Sequence, residues 1–161
     1  MACGEAAPSE PGPLAAVDAW RAVAAGADPF SGRPPDLRCS SPGFGVEGEV
    51  LEVETDKCAW VTLTQPALRD VAPGDRVRVR MWHQPLAAEQ PGRAYMGVRL
   101  GAETLAEVEP PIPGPPRFYE LEHRLNGGAV AGAPVYLHVH NHGVNSYRFG
   151  GIELLPSVEP P

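Results

Sequence analysis

Three histidines lie close together near the end of this 161-residue chain, at His138, His140 and His142. Side chains on a β-strand alternate between its two faces, so His138 and His140 project from one face, about 6.5–7 Å apart. Two imidazoles at this spacing can converge on one metal ion, and neutral imidazole suits Zn, Cu, Ni or Fe. Gly143 indicates that the strand ends there, which allows His142 to turn in as a third ligand.

His83 lies at the end of a predicted strand at residues 76–83. If it meets the three other histidines, it becomes the fourth ligand of this transition-metal site. Two other interpretations of the histidines stay open. Their imidazoles can bond loop carbonyls or carboxylates in a purely structural role, or they can contact a bound sugar or another ligand. The expected cofactor of the metal interpretation is Zn or Cu.

Sequence motifs of catalysis are absent from the chain, which contains no P-loop, no Gly-x-Ser-x-Gly elbow and no His-Glu-x-x-His pair. Glu120 and Glu122 share one face of a predicted strand, but two surface glutamates commonly meet the spacing of a glycosidase pair. We interpret them as a solvated face. A metal-dependent enzyme is therefore the second alternative, behind a metal-binding protein.

The overall composition excludes several classes of partner. A formal net charge of −7 makes nucleic acid an unsuitable ligand. No apolar run approaches the roughly 18 residues that a membrane helix needs. The 18 glycines and 20 prolines are concentrated in the first 45 residues and between short apolar segments, where they indicate turns.

Short segments with strand character follow one another from residue 46 onward, and no helical segment separates them. The clearest is 76–83, in which Val77, Val79 and Met81 alternate with arginines. This pattern predicts an all-β fold, an antiparallel β-sandwich of the jelly-roll or galactose-binding-like kind. The predicted organisation is a flexible tether at 1–13, a short helix (14–25) with a lead-in segment at 14–45, and a sandwich domain at 46–161. The predicted strands cover residues 49–55, 59–65, 76–83, 93–100, 118–125, 134–141 and 147–155.

Aromatic and polar side chains on these strands form a second candidate site, for a sugar. Trp82 is the best candidate, because alternation places it on the face opposite to Val77 and Val79. The alternative is that Trp82 covers a neighbouring sheet and that the asparagines set turns. The candidate ligand-binding residues are Trp82, Tyr136, Asn141, Asn145 and Arg148.

Three stretches resemble a known fold. Residues 58–65 (Cys-Ala-Trp-Val-Thr-Leu-Thr-Gln), residues 73–82 from Pro-Gly-Asp to Trp82, and residues 136–155 with Asn-His-Gly and Gly-Gly-Ile-Glu-Leu are similar to a galactose-binding-like sandwich. Many carbohydrate-binding modules share that fold. The resemblance implies a sandwich that binds a sugar or a protein, although the fold also occurs in domains that bind nothing.

The cysteines indicate an exported protein. Met1-Ala2-Cys3-Gly4-Glu5 resembles the mature end of a bacterial lipoprotein, in which Cys3 is lipidated, and an Ala/Pro-rich tether follows. Cys39 and Cys58 form an even pair, for which export favours a disulfide over two unpaired thiols.

We therefore expect a non-catalytic extracytoplasmic binding module, in the periplasm or on the outer cell surface. It is held at the membrane only through a lipid anchor at Cys3, and its expected ligand is a glycan or a cell-surface protein.

Overall fold

A computed structural model describes residues 9–156 of the chain. The described residues form two antiparallel β-sheets around one hydrophobic core. In chain order the strands are β1 (Gly12–Pro13), β2 (Arg21–Ala22), β3 (Phe44–Glu47), β4 (Val50–Glu54), β5 (Trp60–Pro66), β6 (Arg76–His83), β7 (Gly92–Arg93), β8 (Tyr95–Leu100), β9 (Glu103–Val108), β10 (Pro111–Ile112), β11 (Arg117–Arg124), β12 (Pro134–His140) and β13 (Ser146–Leu154).

The two sheets each take strands from both halves of the chain. The first sheet has the order β11-β6-β13-β4-β3, and the short β1 also pairs with β13. The second sheet has the order β2-β5-β12-β8-β9, while β7 and β10 form a separate pair. The predicted antiparallel β-sandwich is confirmed.

Alternating hydrophobic residues build the core between the sheets. Val77, Val79 and Met81 of β6 are fully buried, and so are Leu137 and Val139 of β12. The side chains between them therefore point away from the core, which places Trp82 on the outside of the first sheet and His138 on the outside of the second. The sandwich thus separates these two candidate residues onto opposite faces.

The predicted helix at Leu14–Ala25 is wrong. No α-helix occurs among residues 9–156; this segment contains the two-residue strand β2 and ends where a 3₁₀ turn begins at Ala25–Ala27. Its backbone bonds to the sheets instead: the Leu14 N–H donates to the Ile152 carbonyl at 2.8 Å, and Leu14 accepts from the Leu68 N–H at 3.0 Å. Leu14 is fully buried, so tertiary packing of a short apolar segment overrides its helix propensity.

The predicted disulfide is confirmed: Cys39 and Cys58 are joined, with their Cα atoms 4.5 Å apart. It ties the lead-in segment to the start of β5. The Arg69 guanidinium adds a second tie, because it donates to the backbone carbonyls of Glu10, Pro11 and Pro13 at 2.9 Å each. Cys3, the predicted lipidation site, lies outside the described residues. None of the helices in the described part of the chain is long and apolar enough to cross a membrane.

Candidate functional site

A ladder of ion pairs covers the outer face of β6 and β11 in the first sheet. Strands β6 and β11 are paired so that Arg78 lies opposite Glu122 and Arg80 lies opposite Glu120. Arg78 Nη2 donates to Glu122 Oε1 at 2.7 Å, and Arg80 Nε donates to Glu120 Oε2 at 2.8 Å. Glu120 and Glu122 are therefore partners of arginines on an exposed sheet face, as the sequence predicts, and not a free pair of acids.

The ladder ends in two aromatic side chains. The same register places Phe118 opposite Trp82, with ring centroids 5.9 Å apart. Phe118 is 58% exposed, which is unusual for a side chain of this size. The two rings flank an open groove of about 360 Å³, which is also lined by His83, Gln84, Pro116 and Arg117.

Gly150 of β13 allows Trp82 to lie close against the sheet. A Cβ atom at position 150 would come within 2.8 Å of Trp82 Cζ3, a contact that real Cβ atoms do not make. The indole therefore occupies the space that any other residue at this position would fill. A register shift between Phe149 and Gly151 marks a β-bulge here.

Arg148 lies beside Trp82 on the adjacent strand and is oriented by Glu52. Arg148 pairs with Trp82 on one side and with Glu52 on the other. Its Nε and Nη2 atoms lie 3.2 Å and 3.1 Å from Glu52 Oε1, and the Ser146 hydroxyl also donates to this carboxylate. The hydrogen bond from Ser146, together with Arg148, lowers the pKa of Glu52 despite its partial burial. We call this surface the Trp82 face, defined by Glu52, Trp82, Phe118, Arg148 and Gly150.

Histidines 138 and 140 lie in an aromatic cluster on the opposite face of the sandwich. His138 is fully buried and stacks on Phe30, with ring centroids 4.4 Å apart. His140 lies between two parallel rings, Trp60 at 4.7 Å and Tyr95 at 5.2 Å. These five residues form what we call the histidine cluster. Side chains of the chain itself thus occupy the space around both imidazoles.

A chain of hydrogen bonds sets the protonation of the two rings. The Thr62 hydroxyl donates to Asp28 Oδ2 at 2.8 Å, so its oxygen accepts from His138 Nδ1, also at 2.8 Å. With Nδ1 protonated, His138 Nε2 accepts from His140 Nδ1 at 2.9 Å. Both rings are neutral in this arrangement.

The electrostatics of the cluster keep the imidazoles neutral and Asp28 charged. Burial, with repulsion from His140, lowers the pKa of His138 to about 3, and burial likewise lowers the pKa of His140. Burial raises the pKa of Asp28, but hydrogen bonds from the Phe30 N–H, Trp60 and Thr62 outweigh it, so the net shift is downward. Burial raises the pKa of Tyr95 to about 12.

The four histidines of the predicted metal site do not come together. His83 belongs to the first sheet, where its Nδ1 donates to the Gln84 carbonyl at 2.8 Å and its Nε2 lies 3.3 Å from the Tyr119 hydroxyl. His142 is exposed and packs against Gly92. Within residues 9–156 no group of three His, Cys, Asp or Glu side chains is placed to hold a metal ion. The Zn or Cu alternative therefore has no support in the described geometry.

The five predicted ligand-binding residues divide into three places. Trp82 and Arg148 are neighbours on the Trp82 face. Asn141 and Asn145 are buried in a loop network, in which Asn145 bonds both backbone groups of Ala87, at 2.8 Å and 3.0 Å. Tyr136 lies in the second sheet, opposite Thr64 and Arg99. The structure therefore separates Tyr136 and the asparagines from Trp82.

Sequence reasoning missed Phe118, Glu52 and Gly150 as parts of the Trp82 face. Phe118 was assigned to a strand, but the sequence does not tell which residue of β6 lies opposite it. The residues of β4 alternate regularly, which places Glu52 on the outer face. Its ion pair with Arg148, however, depends on the pairing of β4 with β13, two strands far apart in the chain. These residues could not be identified from the sequence because the register between paired strands is not visible in it.

Comparisons with known proteins give similarity to solved structures only. No protein-family model matches the chain, and no curated protein matches it either. A CBM4 structure is 11% identical, with a TM-score of 0.49, and the match covers 87% of this chain and 89% of that chain. The structure of TmCBM61 in complex with beta-1,4-galactotriose is 15% identical, with a TM-score of 0.43, and covers 88% of this chain and 91% of that one.

A third similar structure belongs to a different kind of protein. The enzymatically active domain of bacteriophage CBA120 tailspike protein 4 is 18% identical, with a TM-score of 0.43. The match covers 66% of this chain but 15% of that chain. Two of these three similar structures are carbohydrate-binding modules.

Proposed function

We propose that this domain is a non-catalytic glycan-binding module and that the glycan binds on the Trp82 face. The observation that carries the proposal is the pairing of Trp82 with the exposed Phe118 beside an oriented arginine, Arg148. An apolar patch on the surface of a soluble domain marks an interaction site, and the half-buried Trp82 forms such a patch with the exposed Phe118. The Trp82 face combines them with polar groups that are fixed in place.

The chemistry of this face fits a sugar ring. One side of a pyranose presents C–H groups, which pack on an aromatic ring, while its edge presents hydroxyls that need donors and acceptors. Trp82 and Phe118 offer the aromatic surface, and the Arg148 guanidinium and Glu52 carboxylate offer polar groups in a fixed orientation. An open groove of about 360 Å³ accommodates part of a longer chain of sugars rather than enclosing a small molecule.

A binding role is favoured over catalysis because the carboxylates on this face are already used. Glu52, Glu120 and Glu122 each form an ion pair with an arginine. The pKa values of Glu52 and Glu122 are lowered by hydrogen bonds from their partners, Ser146 for Glu52 and Arg78 for Glu122. A general acid needs a raised pKa instead.

The second part of the proposal is that the domain works outside the cytoplasm, tethered by a lipid at Cys3. The disulfide between Cys39 and Cys58 supports export, because such bonds persist in oxidising compartments. The resemblance of residues 1–5 to a mature lipoprotein supports the anchor. Metabolic labelling with an alkyne fatty acid tests it: Cys3→Ser abolishes incorporation if the anchor exists, and equal labelling of both proteins overturns it.

A glycan array tests the binding proposal. Purified wild-type protein, Trp82→Ala and Tyr136→Ala are applied to the same array. We expect wild-type and Tyr136→Ala to bind the same glycans, because Tyr136 lies in the other sheet, and Trp82→Ala to lose them. No glycan binding by the wild type, or undiminished binding by Trp82→Ala, overturns the proposal. A protein ligand then becomes the alternative occupant of the face.

A further inference from the structure

An apolar slot opens through the first sheet next to the Trp82 face. Pairing of β4 with β13 ends at Phe149, and pairing of β1 with β13 begins at Glu153. Between these two points Gly150 and Gly151 carry no side chain that could close the opening. The sheet therefore has a gap along β13 between its pairing with β4 and its pairing with β1.

The slot reaches the hydrophobic core of the sandwich. Its volume is about 160 Å³. Leu137, which lies on the inner side of the second sheet and is fully buried, lines it from below. The hydrophobic residues that line the slot are Val17, Trp20, Leu51, Leu137, Phe149 and Ile152.

The size and lining of the slot fit a compact apolar group. An enclosed cavity of about 150 Å³ lined by Leu, Ile and Phe binds benzene, and the open slot has a similar volume. Most of the side chains that line the slot are apolar and offer no hydrogen-bond partner to a hydroxyl or charged group. The two carboxylates at its rim, Glu49 and Glu153, line the opening, and Glu153 is already paired with Arg80 at 3.1 Å.

Gly150 belongs to both the slot and the Trp82 face. It lines the slot, and it lies directly beneath the Trp82 ring. A ligand whose sugar ring rests on Trp82 therefore has the mouth of the slot beside it. Because Gly150 has no side chain, no side chain at position 150 separates the Trp82 ring from the mouth of the slot.

We propose that the slot is a subsite for a compact apolar substituent, an acyl or aryl group, carried by the glycan that binds on the Trp82 face. This inference rests on the proposed function, because the inference names the class of glycan that the Trp82 face prefers. A substituent that enters the slot removes apolar surface from water and adds affinity in proportion to that surface.

The first arm of the test uses the slot alone. Fluorobenzene is titrated into the full protein and followed by ¹⁹F NMR, and the indole N–H signal of Trp20 is followed in a ¹H–¹⁵N spectrum. We expect saturable binding to the wild type that shifts Trp20. Val17→Phe fills the slot and abolishes binding, whereas the matched Val46→Phe, at a 45% exposed position of β3, retains it.

A second variant, Val17→Ala, keeps the titration informative if Val17→Phe fails to fold. Val17→Ala enlarges the slot, so we expect it to bind fluorobenzene still and to accept the larger probe naphthalene. Absence of saturable binding to the wild type overturns the inference, and so does equal binding by Val17→Phe.

The second arm places paired glycans on the array, each with and without an acetyl or aryl group. We expect Val17→Phe to lose the preference for the substituted member and to keep binding the unsubstituted one. Equal loss of both members, or no change in either, overturns the inference. Failure of the proposed function has a different signature: Trp82→Ala then leaves all glycan binding unchanged, while the fluorobenzene titration still reports on the slot.

Discussion

The imidazole rings of His138 and His140 are hydrogen-bonded directly to each other, with His138 Nε2 2.9 Å from His140 Nδ1. A metal ion that took His138 Nε2 as a ligand would have to displace this hydrogen bond. The other nitrogen of His138 is also used, because it donates to Thr62. The histidine pair therefore connects β12 to the Asp28–Phe30 segment, and its arrangement is that of a structural cluster.

The stability of the fold should depend on pH through His138. The pKa of this imidazole is about 3 in the folded protein, because of burial, and about 6.5 in an unfolded chain. Between these values the unfolded chain binds more protons, so the free energy of unfolding falls as pH falls, by up to about 1.4 kcal/mol per pH unit. The contribution is fully present above pH 6.5. Urea unfolding at pH 7.5, 6.0 and 5.0 measures it.

A matched pair of variants isolates this titration from the protonation of carboxylates. His138→Gln should reduce the pH dependence, whatever its effect on absolute stability, because glutamine does not titrate; His140, whose pKa is also lowered by burial, keeps its own contribution. His142→Gln, at an exposed position, should leave the dependence as in the wild type. Identical pH dependence in all three proteins would show that His138 is accessible to protons in the native state.

Asp28 should contribute strongly to stability through its hydrogen bonds. Its two oxygens accept from the Phe30 N–H at 3.0 Å and from the Trp60 indole and Thr62 hydroxyl at 2.8 Å each. Asp28→Asn replaces one oxygen by a donor, so at least one buried N–H or O–H loses its acceptor, which costs about 1–3 kcal/mol. Chemical unfolding measures the loss. Asp18→Asn, at an exposed position, is the control, and an equal effect of the two variants contradicts this account.

Removing the disulfide should destabilise the domain without changing its ligand. The bond closes a loop between residues 19 apart in sequence, for which loop entropy gives about 3 kcal/mol. The Cys39→Ala/Cys58→Ala variant should therefore unfold at lower denaturant concentration, and its glycan-array profile should match that of the wild type. A changed profile at a temperature where the variant is folded would place the ligand near the disulfide instead.

Gly150→Ala should weaken glycan binding because it displaces Trp82. The added Cβ would lie 2.8 Å from Trp82 Cζ3, so the indole has to move off the sheet. Gly45→Ala is a close control: this glycine lies in β3 of the same sheet, and a Cβ there meets nothing within 4 Å. Surface plasmon resonance on one immobilised glycan compares them. Equal affinities of the two variants for the glycan would mean that the position of the Trp82 indole does not affect binding.

The longer strands were predictable because their apolar residues either alternate, as in β6, or form a continuous run, as in β5. Residues 76–81 alternate strictly between arginine and valine or methionine, and the structure has a strand with the predicted bounds, Arg76–His83. Two of the strands longer than two residues were not predicted because they lack such a pattern. β3 (Phe44–Glu47) has three exposed residues in four, and β9 (Glu103–Val108) lacks regular alternation, so neither carries the period of a half-buried strand.

The site was only partly predictable. Trp82 and Arg148 were identified as candidates because their residue types and outward positions follow from local alternation. Their partners Phe118 and Glu52 depend on which strands pair and in which register, and local sequence does not encode this. The histidine cluster shows the same limit, since the contact of His138 with Phe30 joins residues more than a hundred positions apart.

The three tryptophans of the chain provide the most direct test of the central claim, that the ligand binds on the Trp82 face. Trp82 lies on that face, Trp20 lines the slot, and Trp60 belongs to the histidine cluster on the opposite side. The measurement is a ¹H–¹⁵N spectrum of the indole N–H signals during titration with the glycan that binds most strongly on the array. We predict that the Trp82 signal shifts with saturation while the Trp60 signal stays in place. A shift of Trp60 with an unchanged Trp82 would contradict the account.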